Sequence, residues 1–172
     1  DPAMSTLRER YGLDTYRTFL PGLNAMSAGF VVVAFAKLGL TWRVDEPVTA
    51  VGLMQRLGIL DRHRRLVERL LAMLGEDGWL ERETDGWRVL AVPTVSDPKA
   101  LADELVASYP THRAELKLTI RCAEQLAEVL RGEADALQLL FPGGSLADTE
   151  DLYQNSPSAR FYNTLIQETL TA

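Results

Sequence analysis

Cysteine, histidine and excess positive charge are all scarce in this 172-residue chain, and each scarcity removes a class of function. The single cysteine, Cys122, rules out an internal disulfide framework and fits a reducing compartment. Its place in a long apolar-periodic segment predicts a buried thiol rather than a reactive one. The two histidines, His63 and His112, lie far apart in the sequence, so no metal site is expected from this chain alone. The lone cysteine has no His at a recognisable motif spacing and no GxSxG occurs, which leaves nucleophilic catalysis without a candidate and no residue assigned as catalytic. A net charge of −6 argues against a dedicated nucleic-acid partner, because such proteins gain affinity by neutralising phosphates with clustered Lys and Arg.

Long hydrophobic runs are missing as well. The stretch Met26 to Lys37 is short of the roughly 20 apolar residues that a bilayer demands and reads as a core helix. No signal-peptide pattern precedes it, so a cytoplasmic location without a membrane partner is expected. Asp1-Pro-Ala before Met4 reads as an expression scar occupying residues 1–4. Against these absences, 47% hydrophobic and 24% charged residues suffice for a globular core of one domain or a pair of subdomains.

The pattern is mainly helical. Leu7 to Phe19 forms a first amphipathic helix expected to stop at Pro21-Gly22, with Asn24 capping an apolar helix that runs to Leu38 before Gly39. Thr49 to Leu57 is a short helix closed by Gly58, and Asp61 is a natural cap for a helix from Arg62 to about Gly75. Leu66, Val67, Leu70, Leu71, Met73 and Leu74 make its apolar stripe; Arg64, Arg65, Glu68 and Arg69 face away. After Gly78 the period changes to two. Trp79 to Glu83 and Trp87 to Leu90 flank Thr84-Asp85-Gly86, where Asp-Gly is expected to supply the positive φ angles of a tight hairpin. Short helix, turn, longer helix and β-hairpin together predict a winged-helix unit within residues 5–92. Pro93 to Pro98 is a linker to a second helical subdomain, 98–172.

That second part holds helices at about Lys99 to Ser108, Thr111 to Arg131 and Ala134 to Leu140, followed by the loop Phe141-Pro-Gly-Gly-Ser145. A short helix near Asp148 to Gln154 leads to Ser156-Pro157, a cap with proline at the first helical position, which opens a helix to about Leu170. Gly143-Gly144 lacks the Lys-Ser/Thr of a phosphate loop and reads as a chain-reversing turn. A winged helix can enter a DNA groove, with Arg62, Arg64, Arg65 and Arg69 meeting phosphates or bases. Here Glu68, Glu76 and Asp77 interrupt the basic face and Glu81, Glu83 and Asp85 lie on the wing, so these arginines read as a solvated surface.

Two motifs carry a family resemblance. Leu66-x3-Leu70-Leu-Ala-Met-Leu-Gly-Glu-Asp-Gly-Trp-Leu-Glu-Arg82 with Gly86-Trp-Arg-Val89 is similar to the winged-helix segment that precedes the catalytic core in methyltransferases using S-adenosylmethionine. The run Leu140-Phe-Pro-Gly-Gly-Ser145 with Leu152-Tyr-x2-Ser-Pro-x-Ala-Arg-x-Tyr-Asn163 resembles the N-terminal helical lid region of C-methyltransferase domains in modular polyketide synthases. The two cover roughly residues 50–170. The resemblance implies a non-catalytic lid or scaffold, whose partners are the rest of a polyketide synthase and an acyl carrier protein. It further implies that Tyr153, Ser156 and Asn163 face the cofactor S-adenosylmethionine and that Arg160 and Tyr162 face the substrate. Arg160 and Asn163 fall on one side of a helix and could act together. No strand followed by GxGxG is present, and the resemblance places the Rossmann-like core beyond Ala172, so this chain alone is expected to bind no cofactor. Two other readings stand beside it: an adaptor of a synthase loading module that supports an acyltransferase-like neighbour, and a winged-helix transcriptional regulator.

Overall fold

The structure, a computed structural model, describes residues 2–171; of the expected expression scar at residues 1–4, residue 1 lies outside what it describes and residues 2–4 belong to the first helix. The fold is mainly α. Helices α1 (Pro2–Arg10), α2 (Tyr16–Lys37), α3 (Ala50–Leu57), α4 (Arg64–Glu76), α5 (Pro98–Ser108), α6 (Arg113–Glu124), α7 (Leu126–Arg131), α8 (Ala136–Leu140), α9 (Ala147–Asn155) and α10 (Pro157–Thr171) accompany three short strands, β1 (Pro47–Val48), β2 (Leu80–Glu83) and β3 (Gly86–Val89). The strands form one antiparallel sheet in the order β1-β3-β2. Contacts divide the chain into two compact units, one of Asp1–Met26, Lys99–Cys122 and Ala136–Ala172, the other of Ser27–Pro98 and Ala123–Asp135.

The second unit is built around the predicted α4 stripe. Val67, Leu71 and Leu74 are fully buried with Phe35, Leu57, Val89 and Leu130. α3 forms where expected: the Thr49 hydroxyl accepts from the Gly52 N–H at 3.0 Å and Gly58 closes the helix at φ 68°. Asp61 is not the cap of α4. Leu60 N–H donates to the Leu130 carbonyl at 3.0 Å, and residues Asp61–His63 then make a 3-10 turn, so α4 opens only at Arg64. Arg131 ties two helix ends together, its guanidinium donating to the carbonyls of Leu57 at 3.3 Å and Leu38 at 3.1 Å. These are carbonyls that lack helical partners.

Two glycines act differently from the sequence reading. No positive φ occurs at Asp85 or Gly86. Gly86 pairs with Glu83 across the hairpin, and a Cβ on it would meet the Val48 backbone oxygen at 2.6 Å. Glycine is needed there because β1 approaches closely, rather than to turn the chain. α4 ends at Glu76, one residue past the expected Gly75, and Gly75 has a packing role as well, since a Cβ there would meet the Trp87 ring. Small residues at these two points let the hairpin close onto β1 and α4.

The first unit corrects the reading of Pro21-Gly22 as a break. α1 ends at Arg10, Gly12 turns the chain at φ 64°, and α2 then runs through Pro21 for 22 residues. Proline removes one helical N–H, a cost of about 3 kcal/mol in a helix interior. Packing outweighs it: Phe19 and Met26, on either side, are fully buried. Gly22 serves that packing, since a Cβ there would meet the Leu105 side chain at 2.7 Å. The segment Leu13–Lys37 is therefore long and apolar enough to cross a membrane by length and composition, and half of its most apolar stretch is buried inside the protein. The expected helix Thr111 to Arg131 is also divided, into the 3-10 turn Pro110–His112, α6 and α7, with the break at Gln125. That break turns Ala127 and Leu130 of α7 into the second unit's core.

Candidate functional site

Segment 141–163 folds as its sequence predicts and brings part of the expected site together. Pro142–Gly144 makes a 3-10 turn with Gly143 and Gly144 at φ 62° and 79°, conformations that glycine adopts without cost. α9 follows. Ser156 then takes extended backbone angles, its hydroxyl accepts from the Ala159 N–H at 3.3 Å, and Pro157 opens α10.

Tyr153 on α9 is 67% exposed. Its backbone carbonyl accepts from the Asn163 side-chain amide at 3.1 Å, so the two residues meet across the α9–α10 corner. Tyr162 is exposed and stands edge-on to Phe161 with ring centroids 5.1 Å apart. Arg160 lies over the Tyr11 ring at 5.1 Å. Arg160 and Asn163 thus have separate partners. Ser156 is buried and 3.3 Å from the Ser158 hydroxyl.

Behind this exposed face lies a polar cluster that the sequence reading passed over. His112 is fully buried. Its Nδ1 is 2.6 Å from Glu115 Oε2 and its Nε2 is 2.8 Å from the Thr15 hydroxyl. Tyr16 donates its phenolic proton to Glu115 Oε1 and lies 3.1 Å from the Ser158 hydroxyl. Phe19 stacks on the imidazole with centroids 4.1 Å apart, and Tyr16 meets it edge-on at 4.5 Å. Burial, followed by the hydrogen bond to Glu115, pushes the Tyr16 phenol up to about 12. One signal was present in the sequence: His112 and Glu115 stand three apart at a helix start, a spacing that brings side chains together.

Two flanking groups define the local electrostatics. Asp148, which opens α9, is gripped by Lys117 at 2.5 Å and by Arg121, whose other nitrogen donates to the Leu139 carbonyl at 3.0 Å. The lysine and arginine contacts hold its carboxyl below the usual range. Burial pushes the half-buried Cys122 thiol up, away from the reactive thiolate. On the other unit, Arg64 pairs with Glu68 at 3.1 Å and Arg69 with Glu76 at 2.5 Å, so two of the arginines a DNA groove would need are already committed.

The fit to S-adenosylmethionine is incomplete. The Ser156 hydroxyl is spent on the cap of α10, leaving the Tyr153 phenol and the Asn163 amide oxygen as outward groups. Among the described residues no strand leads through a glycine-rich turn into a helix, the arrangement that would present backbone N–H groups to a charged cofactor; the strands present are the antiparallel set above.

No family model matches the chain. Among curated proteins it is 33% identical over 141 residues to the non-reducing polyketide synthase adrD of Penicillium rubens, covering 80% of this chain and 5% of that one. It is 29% identical over 157 residues to the 5-methylorsellinic acid synthase of Aspergillus terreus, covering 89% of this chain and 6% of the synthase. Among solved structures, the CurJ carbon methyltransferase superposes with a TM-score of 0.92 at 30% identity, over 99% of this chain and 45% of that one. The DszA carbon methyltransferase gives 0.80 at 27%, over 97% and 42%. This chain spans less than half of those methyltransferase chains and about a twentieth of the curated synthases. In sequence and in fold, the chain is similar to part of the carbon-methyltransferase domains of polyketide synthases.

Proposed function

We propose that this chain is the helical lid and scaffold part of a polyketide-synthase C-methyltransferase, non-catalytic by itself. The observation that carries the reading is the match of nearly the whole chain to less than half of the CurJ carbon methyltransferase. With the remainder of the domain, the assembly moves a methyl group from S-adenosylmethionine to an acyl chain held by an acyl carrier protein. The element order α3-α4-β2-β3 with β1 on the sheet supports a winged-helix unit whose charged face is satisfied internally rather than by DNA.

In this reading the exposed Tyr153 phenol and the free oxygen of Asn163 face the cofactor side of the cleft, and Ser156 acts through the helix it caps. Tyr162 and Arg160 face the acyl chain. Aromatic faces suit an extended acyl substrate, since Tyr buries apolar area while keeping a polar tip wet. The test is methyl transfer to a carrier-bound acyl chain, followed by mass spectrometry. The domain comprising this chain and its methyltransferase remainder should add 14 Da, and this chain alone none. Methylation by the remainder at full rate without this chain would remove the lid role.

A further inference from the structure

We infer that Glu115 is a positioning residue. Through Tyr16 and Ser158 it fixes the first turn of α10 and so aims the helix face that carries Tyr162 and Asn163. Its purpose rests on the methyltransferase reading above; its geometry does not.

One run of hydrogen bonds links Gly12, Thr15, His112, Glu115, Tyr16 and Ser158. The Thr15 hydroxyl gives its one proton to the Gly12 carbonyl at 2.6 Å, so it can only accept from His112 Nε2. His112 Nε2 lies 2.8 Å from that hydroxyl, and Nδ1 lies 2.6 Å from Glu115 Oε2. Tyr16 also has one proton, and the shorter of its two contacts, to Glu115 Oε1, takes it. The Ser158 hydroxyl donates to Glu115 Oε1 at 3.4 Å and lies 3.1 Å from the Tyr16 hydroxyl. Both Glu115 oxygens are occupied, Oε1 by Tyr16 and Ser158 and Oε2 by His112. The network is part-buried around the buried His112, and breaking one link of such a network weakens its neighbours as well.

α10 is placed by this network along one side. Ser158 hydrogen-bonds to Glu115 and Tyr16, Phe161 is 3% exposed, and Thr164 meets the Tyr11 hydroxyl at 3.0 Å. Positions 158, 161 and 164 repeat every third residue, forming a single inner seam. Tyr162 and Asn163 lie off that seam and are exposed. Rotation of the first turn would therefore move the outward groups directly, while the caps and apolar contacts at its ends hold the helix in place.

Hydrogen–deuterium exchange on this chain tests the latch. Ser158→Ala and Tyr16→Phe should make the amides of residues 158–163 exchange about tenfold faster, equivalent to about 1.4 kcal/mol, with α5 unchanged. Ser158→Thr, which restores a hydroxyl, should return the native rate. No local change, or an equal change throughout the unit, overturns the latch. In the complete methyltransferase Ser158→Ala should lower kcat several-fold with little change in KM for S-adenosylmethionine, and Ser158→Thr should recover it. Faster exchange with unaltered kcat overturns the positioning role. If the complete protein transfers no methyl group at all, the functional reading fails while the exchange measurement still decides the latch.

Discussion

Asn163 on α10 donates its side-chain amide to the backbone carbonyl of Tyr153 on α9 at 3.1 Å, closing the corner that Ser156 and Pro157 form between the two helices. The bond is exposed, so its effect is local. Asn163→Asp keeps the shape and removes the donor. The variant should unfold within about 1 kcal/mol of the parent, while the α9–α10 corner shows faster amide exchange. A large global loss would mean that this corner bears more of the unit's stability than its exposure implies.

Ser156 caps a 15-residue helix and is buried. Ser156→Ala removes the acceptor for the Ala159 N–H and should cost about 1–2 kcal/mol in a denaturant titration. Ser156→Asp, a stronger acceptor in a site without room for a solvated charge, should not improve on the parent. A neutral Ser156→Ala would show that water takes over the cap.

Gly86 and Gly75 should respond unequally to alanine. At Gly86 the obstacle is the Val48 backbone oxygen at 2.6 Å, which cannot move without opening the β1–β3 pairing. At Gly75 it is the Trp87 ring, a side chain that can swing at the expense of its Arg82 contact at 5.0 Å. Gly86→Ala should therefore lie at or above the upper end of the roughly 1–3 kcal/mol typical of overpacking, and Gly75→Ala below it. Thermal melts of the two variants check the order.

Two groups give pH signatures of opposite sign. Tyr16 is raised to about 12 by burial and by Glu115. Its contribution is complete below the ordinary tyrosine value near 10 and is lost as pH rises toward 12. One of the five tyrosines should thus titrate late in ultraviolet absorbance, and the late step should vanish in Tyr16→Phe. Asp148 is lowered by Lys117 and Arg121. Its contribution is present above the ordinary carboxylate range near 4 and is lost on acidification below it. Amide exchange at the start of α9 should rise there, and the rise should be absent in Asp148→Asn.

The parts of this fold that local signals govern were legible in the sequence. Thr49 and Gly58 bound α3, the apolar stripe defines α4, Ser156-Pro157 opens α10, and alternation around Asp85 gives the hairpin. What escaped depended on distant neighbours. Pro21-Gly22 carries the grammar of a stop, yet burial of Phe19 and Met26 keeps α2 whole. Gly86 and Gly75 look like turn and terminus, and their purpose is visible only once Val48 and Trp87 stand against them. The same holds at the candidate site. Tyr153 and Asn163 were put forward by motif, whereas Tyr16, Glu115 and Ser158 come from three separate stretches of chain and meet only in the folded unit.

Calorimetric titration with S-adenosylmethionine tests the central claim most directly, applied first to this chain and then to the same chain joined to the rest of its methyltransferase domain. The account predicts no measurable heat of binding for the chain alone and saturable one-to-one binding for the joined protein, weakened by Tyr153→Ala. Tight binding by the isolated chain, or joined-protein binding indifferent to Tyr153 and Asn163, would contradict it.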